Sequence, residues 1–285
     1  MEIPGETLIP LLALLTDVAR LSVWLLLLMV VFVPLERFFA VRPRRSLSKS
    51  FPIHLGYYFL NSLLPKMLLA LPMACIAWGL HFVAPPGLHS WVAGMSLWTR
   101  LGAALVVGEI GFYWGHRWTH EVPLLWRFHA IHHSAEEIDW LVNTRAHPVD
   151  MIFTRLCGLA LLYATGLAST VGAHPTLVPA LVLFVGSMWS YFIHANLRWR
   201  LGPLEQLISS PAFHHWHHTR DDHCDHNYSS MLPFVDRMFG TFYLPRAWPA
   251  AYGADTPMPH TLSGQFLEPF GPPSNASAPR GSVES

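Results

Sequence analysis

Five histidines fall within residues 115–133, GHRWTHEVPLLWRFHAIHH, at His116, His120, His129, His132 and His133. Their spacings are i/i+4 and then i/i+3/i+4. On a helix, residues three and four apart share a face, with Cβ atoms roughly 5–6 Å apart. A helix there would let each cluster aim its imidazoles at a common point. The pattern returns at His214, His217 and His218, with His215 between them. One H-x-x-H-H set arises by chance; an H-x-x-x-H and two H-x-x-H-H sets in one chain point to a metal site. Imidazole suits iron, copper or zinc, whereas magnesium and calcium want oxygen ligands.

The chain is 52% hydrophobic and only 13% charged, with a mean hydropathy of +0.32. Soluble domains carry about 25% charged residues, so the deficit points to a membrane protein. A formal net charge of zero gives no reason to expect a nucleic-acid partner. Cys75, Cys157 and Cys224 form no C-x-x-C pair, which argues against a disulfide framework or a thiolate zinc site. The N-terminus lacks the basic start and small-residue cleavage site of a signal peptide.

A short interfacial piece and five apolar segments follow in order. Residues 8–15 are short and suit the membrane interface, and 21–35 form the first span with help from 18–20, Arg20 snorkelling. Residues 51–85, interrupted by Pro65-Lys66, suit one tilted, kinked crossing or a short re-entrant hairpin; one crossing is preferred. Residues 101–115 form a third span that runs into His116. Residues 156–171 and 176–193 are the fourth and fifth, crossing fully or forming a shallow hairpin around a turn at 172–175. Basic residues gather at 37–49, 117–145 and 198–220. The positive-inside rule makes these regions cytoplasmic and the N-terminus external, so every clustered histidine falls on the cytoplasmic side. The tail from 271 reads as disordered. The division expected is membrane segments over 1–100, a histidine-box domain over 101–248 and a tail over 249–285.

Isolated histidines at 54, 81, 89, 174 and 260 read as surface or satisfied core residues. His194, ending the fifth span, is a further candidate ligand. His147, His215, His223 and His226 are evenly balanced between ligand and bystander. Eight or nine imidazoles exceed what one ion uses, since a mononuclear zinc site takes three or four protein ligands. Two metals are the economical count. Glu109 lies inside the third span, seven residues before His116 on the same helical face. An ionisable group at that depth is usually functional, and orienting a ligand imidazole or tuning the site is its expected role. Glu136, Glu137, Asp139, Asp221, Asp222 and Asp225 follow the boxes and are candidates to support an imidazole, with an ordinary loop acid the preferred reading of each; Arg117 and Arg145 read as structural pairs to acids or headgroups.

The three boxes, His116-x-x-x-His120, His129-x-x-His132-His133 and His214-x-x-His217-His218, resemble those of the fatty acid hydroxylase/sterol desaturase superfamily. Flanking words match as well: Tyr113-Trp114-Gly115-His116-Arg117, Asn143-Thr144-Arg145-Ala146-His147-Pro148, Asn227-Tyr228 and residues 236–241. The resemblance covers roughly residues 101–245. It implies an integral membrane oxygenase with two iron ions that uses O₂ and an external electron donor to hydroxylate or desaturate a lipid. Zinc would also bind such a site in purified protein. The resemblance also brings His147 and Asn227 forward as extra ligand or supporting residues. Two departures stand out. The family's Asn-Tyr-Gly is Asn227-Tyr228-Ser229 here, and a histidine that some members carry four residues after His194 is Arg198.

The expectation is an all-α integral membrane bundle of about five apolar segments under a cytoplasmic, histidine-rich helical cap. The rival readings are a zinc-dependent membrane hydrolase and a histidine-rich metal transporter or sensor. The hydrolase would normally show H-E-x-x-H, and after His120-Glu121 a proline comes and no second histidine. The transporter would want ligands lining a path through the bilayer. A redox partner is implied, since no Rossmann glycine fingerprint or haem motif is visible.

Overall fold

The structure, a computed structural model, describes residues 5–44, 48–64, 68–83, 87–168, 177–255 and 257–272. The expected turn at 172–175, the Pro65-Lys66 interruption and the tail from 273 onward lie outside the described residues. The described residues are helical with no strand; Thr219 and Tyr252 form an isolated bridge.

The first helix, α1 (Gly5–Phe39), absorbs both N-terminal apolar pieces into 35 continuous residues. Residues 8–15 are therefore no separate interfacial segment. Pro10, the sixth residue of the helix, has no N–H to donate to the Glu6 carbonyl, and the helix continues past it. From Ile9 to Phe39 the helix is long and apolar enough to cross a membrane, and only 17% of its most apolar window is buried. Val30 and Phe38 are each 72% exposed. Apolar surface of that extent marks a lipid or protein contact. The helix is fixed at its far end by Glu36, whose carboxylate accepts the backbone N–H of Trp140 and of Asn196, each at 2.8 Å.

Two short helices follow, α2 (Phe51–Leu63) and α3 (Ala70–Val83). At 13 and 14 residues, each falls short of the ~20 needed to span a bilayer. The join between them, where the kink of the preferred single crossing over 51–85 would lie, is outside the described residues. After α4 (Leu88–Ala93) comes the central helix, α5 (Leu97–Glu121), capped by the Ser96 hydroxyl accepting from Thr99 N–H. Val122 closes α5 and opens α6 (Pro123–His133). Proline cannot continue α5 but suits the first position of a new helix. The result is a one-residue corner that folds the second histidine box back on the first.

Helix α7 (Pro148–Ala164) packs along α5 at unusually short range. A Cβ on Gly111 would stand 2.5 Å from the Cys157 carbonyl oxygen and 2.8 Å from the Gly158 Cα. A Cβ on Gly115 would stand 2.9 Å from Cys157 Cβ. Small residues at such crossings let backbones approach, as in membrane helix pairs. Helix α8 (Leu177–His194) is the second described helix apolar and long enough to cross a membrane. Only these two pass that test among the described residues, rather than about five. Helix α7 has 17 residues and carries Asp150 and Arg155, and α5 carries Arg100 and Glu109 within its apolar part. The third box lies on α9 (Pro211–His217), capped by the Ser210 hydroxyl accepting from Phe213 N–H.

Candidate metal centre

Nine histidines from α5, α6, α8 and α9 meet in one buried region, each at most 7% exposed. They form two groups, within each of which one ring nitrogen per residue lies within 4.8 Å of all the others. The first is His116, His120, His129, His133 and His217; the second is His132, His194, His214 and His218. The expectation that each box converges on one point is not met. Within each H-x-x-H-H box the i,i+4 pair stays together, His129 with His133 and His214 with His218. The middle histidine stands about 100° from the last on the helix and goes to the other group.

The ring orientations are set from outside. His116 Nδ1 lies 2.6 Å from the Tyr228 carbonyl, His132 Nδ1 3.0 Å from that of Arg145, and His217 Nδ1 2.8 Å from that of His226. His194 Nδ1 is 2.7 Å from the Ser190 carbonyl. His129 Nδ1 is 3.1 Å from both oxygens of Asp150, and His120 Nδ1 is 3.0 Å from Asp225. Carbonyls and carboxylates only accept, so in all six rings Nδ1 carries the proton. In the neutral ring Nε2 then holds a bare lone pair directed inward. Burial pushes His217 down to about 3, and pushes His116, His120 and His132 well below the ordinary imidazole value.

The inward nitrogens fit a cation. Across the first group, His116 and His129 Nε2 are 3.2 Å apart, and His133 and His217 Nε2 3.0 Å. In the second, His194 Nε2 stands 2.9 Å from His214 Nε2 and 3.2 Å from His132 Nε2. Two nitrogens bound at about 2.0–2.1 Å and separated by about 90–110° lie about 2.8–3.4 Å apart. His120 Nε2 is buried without a hydrogen-bond partner. Unshared lone pairs facing one another at this range repel unless a proton or metal ion lies between them. Nitrogen-only donor sets of this kind suit iron, copper or zinc.

The remaining candidates fall elsewhere. His147 caps α7, its Nδ1 accepting from Val149 N–H and its Nε2 donating to the Phe266 carbonyl. His215 bonds to Tyr252 and the Ala195 carbonyl, and His223 is paired with Asp221. Glu109 does not orient an imidazole; its carboxylate accepts the N–H of Met231 at 2.5 Å and of Leu232 at 3.1 Å. It binds the segment following Tyr228 to α5. Asn227 adopts φ 60°, a left-handed conformation that asparagine tolerates. Its side chain bonds to the Phe213 carbonyl and to both backbone groups of Tyr243. It thereby fixes the two carbonyls on either side, His226 and Tyr228, that receive His217 and His116. Ser229, where the family has glycine, donates its hydroxyl to Asp236, which also accepts the N–H of Tyr228 and Ser229.

One supporting residue, Asp150, escaped the sequence reading, although an acid two residues past His147-Pro148 and inside an apolar run is itself a signal. Asp225, a candidate support more readily read as a loop acid, holds His120. Arg145 is structural but pairs with no acid among the described residues; it donates to the Ile131 carbonyl and the Ser134 hydroxyl, closing the end of α6. Arg117 does pair with Glu121, at 2.6 Å. Arg198 is exposed and outside both groups. His54 is no surface residue: it is fully buried, with neither ring nitrogen hydrogen-bonded.

The family model for fatty acid hydroxylase matches residues 101–241, the stretch that supplies all nine histidines. The chain belongs to the fatty acid hydroxylase/sterol desaturase superfamily. Among superfamily members it is 35% identical over 169 residues to ornithine lipid hydroxylase OlsE of Rhizobium tropici, covering 57% of this chain and 49% of that protein. It is 35% identical over 148 residues to human alkylglycerol monooxygenase, covering 52% of this chain and 31% of that protein. Methylsterol monooxygenase 2-2 of Arabidopsis thaliana is 29% identical over 149 residues, 50% of this chain and 54% of that protein. The chain thus spans about half the length, or less, of these superfamily relatives. No solved structure matches it significantly.

Proposed function

We propose that the protein is a membrane oxygenase that uses O₂ and externally supplied electrons to hydroxylate or desaturate a lipid at two iron ions. The observation that carries this reading is the division of nine buried imidazoles into a group of five and a group of four. His116, His120, His129, His133 and His217 would hold one ion, and His132, His194, His214 and His218 the other. The irons would supply activation of O₂ and attack on an unactivated C–H. The chain's own residues supply the rest. Six fixed Nδ1–H groups keep the Nε2 lone pairs aimed inward, and burial keeps water scarce around them.

A cavity of about 300 Å³ opens beside the histidines, and Leu105, Leu159, Leu162 and Leu183 line it along the apolar helices. That arrangement suits a lipid chain entering from the bilayer. The proposed topology places the histidine groups and the C-terminal end in the cytoplasm and the N-terminal end outside, following the arginine distribution. A reporter at Ser285 active only on the outer side would refute it. The function itself is tested by O₂ consumption: reduced, iron-loaded protein in lipid vesicles should consume O₂ and yield an oxidised lipid. Zinc-loaded protein should do neither, because zinc has no redox chemistry. Lipid turnover by the zinc form without O₂ would contradict the reading.

A further inference from the structure

The cavity beside the histidines contains one Arg or Lys side chain, Arg155 on α7. It is half-buried, and it makes no hydrogen bond or ion pair among the described residues. The two carboxylates that share the cavity do not serve it. Asp150 is bonded to His129, and Glu109 to the N–H groups of Met231 and Leu232. Leu159, Leu162 and Leu183 line the same cavity. A guanidinium in a largely apolar cavity without a counter-charge is costly, and an anionic ligand would relieve that cost.

Resting on the lipid-oxygenase reading, we infer that Arg155 binds the anionic head of the lipid substrate, a carboxylate or phosphate, inside the cavity. The guanidinium fork matches the paired oxygens of either group. The placement also says which part of the lipid faces the histidines. Arg155 follows Asp150 by five residues, about 7.5 Å of helical rise. It lies within electrostatic reach of Tyr191, one turn before His194 on α8. An anion held there leaves the carbons next to it, rather than the far end of the chain, closest to the ring nitrogens.

The test is binding to metal-free, full-length protein in nanodiscs of neutral phosphatidylcholine, so that no turnover is needed. The probes are palmitate, hexadecyl phosphate and hexadecanol, which share a chain and differ in head. Wild-type protein should bind at least one anionic probe about ten- to hundred-fold more tightly than hexadecanol, the worth of a charge-assisted contact. Which anion binds better separates a carboxylate head from a phosphate head. Arg155→Gln should lose the preference while keeping hexadecanol affinity and iron content, and Arg155→Lys should retain part of it. Wild-type protein that binds hexadecanol as tightly as both anions overturns the inference. So does Arg155→Gln with its preference intact. Either result leaves the oxygenase reading standing, because iron content and O₂ consumption are measured separately.

Discussion

The Asp150 carboxylate accepts the Nδ1–H of His129 at 3.1 Å, and both residues are at least nine-tenths buried. The contact joins the first turn of α7 to the second histidine box. It fixes the tautomer of His129 and makes its Nε2 more basic. Asp150→Ala should weaken iron binding about ten- to hundred-fold, the usual cost of losing such a partner. Asp150→Asn, which keeps an acceptor without the charge, should fall between. Competition against a chelator measures both, and unchanged affinity in Asp150→Ala would refute the role.

Two glycines on α5 should respond in opposite directions. A Cβ on Gly102 meets nothing within 4 Å, whereas one on Gly111 meets the α7 backbone at 2.5 Å. Gly102→Ala should stabilise by up to about 1 kcal/mol through helix propensity. Gly111→Ala should destabilise by about 1–3 kcal/mol, since two backbones must separate. Melting in detergent checks the pair; a Gly111→Ala protein melting at or above wild type would contradict the packing.

The metal-free protein should lose stability in acid. Burial pushes both His215 and His217 down to about 3 in the folded state, against about 6.5 when unfolded. A depressed folded pKa means the unfolded chain binds more protons, so the stabilisation is complete above about 6.5 and drains away as pH falls towards 3. The melting temperature should therefore drop between pH 7 and pH 5. A flat profile over that interval would mean these rings are not buried neutral.

Much of the site was legible because helical periodicity acts on ligands as it does on apolar faces. The boxes, their burial and the family followed from spacing and flanking words. The pairing of His129 with His133, and of His214 with His218, was also available from the 3.6-residue turn. It went unread because i+3 and i+4 neighbours were treated as equivalent. The one-residue corner at Val122-Pro123 was foreshadowed by the proline. Long-range partners were not legible: Asp225 reaches His120 across 105 residues and Glu109 reaches Met231 across 122, and no local pattern encodes either. Two described helices are long and apolar enough to cross a membrane, and α5 and α7 carry Arg100, Glu109, Asp150 and Arg155 along their length.

The number and independence of the metals test the account most directly. Iron-loaded protein should carry two ions per chain. His217→Ala removes a nitrogen from the group of five and should deplete one ion, leaving the other largely in place. His214→Ala should do the same to the group of four. His260→Ala, at an exposed position outside both groups, should keep two. Metal analysis per chain, after dialysis against a weak chelator, reads all four proteins. One ion per chain in the wild type under every loading condition would contradict the account.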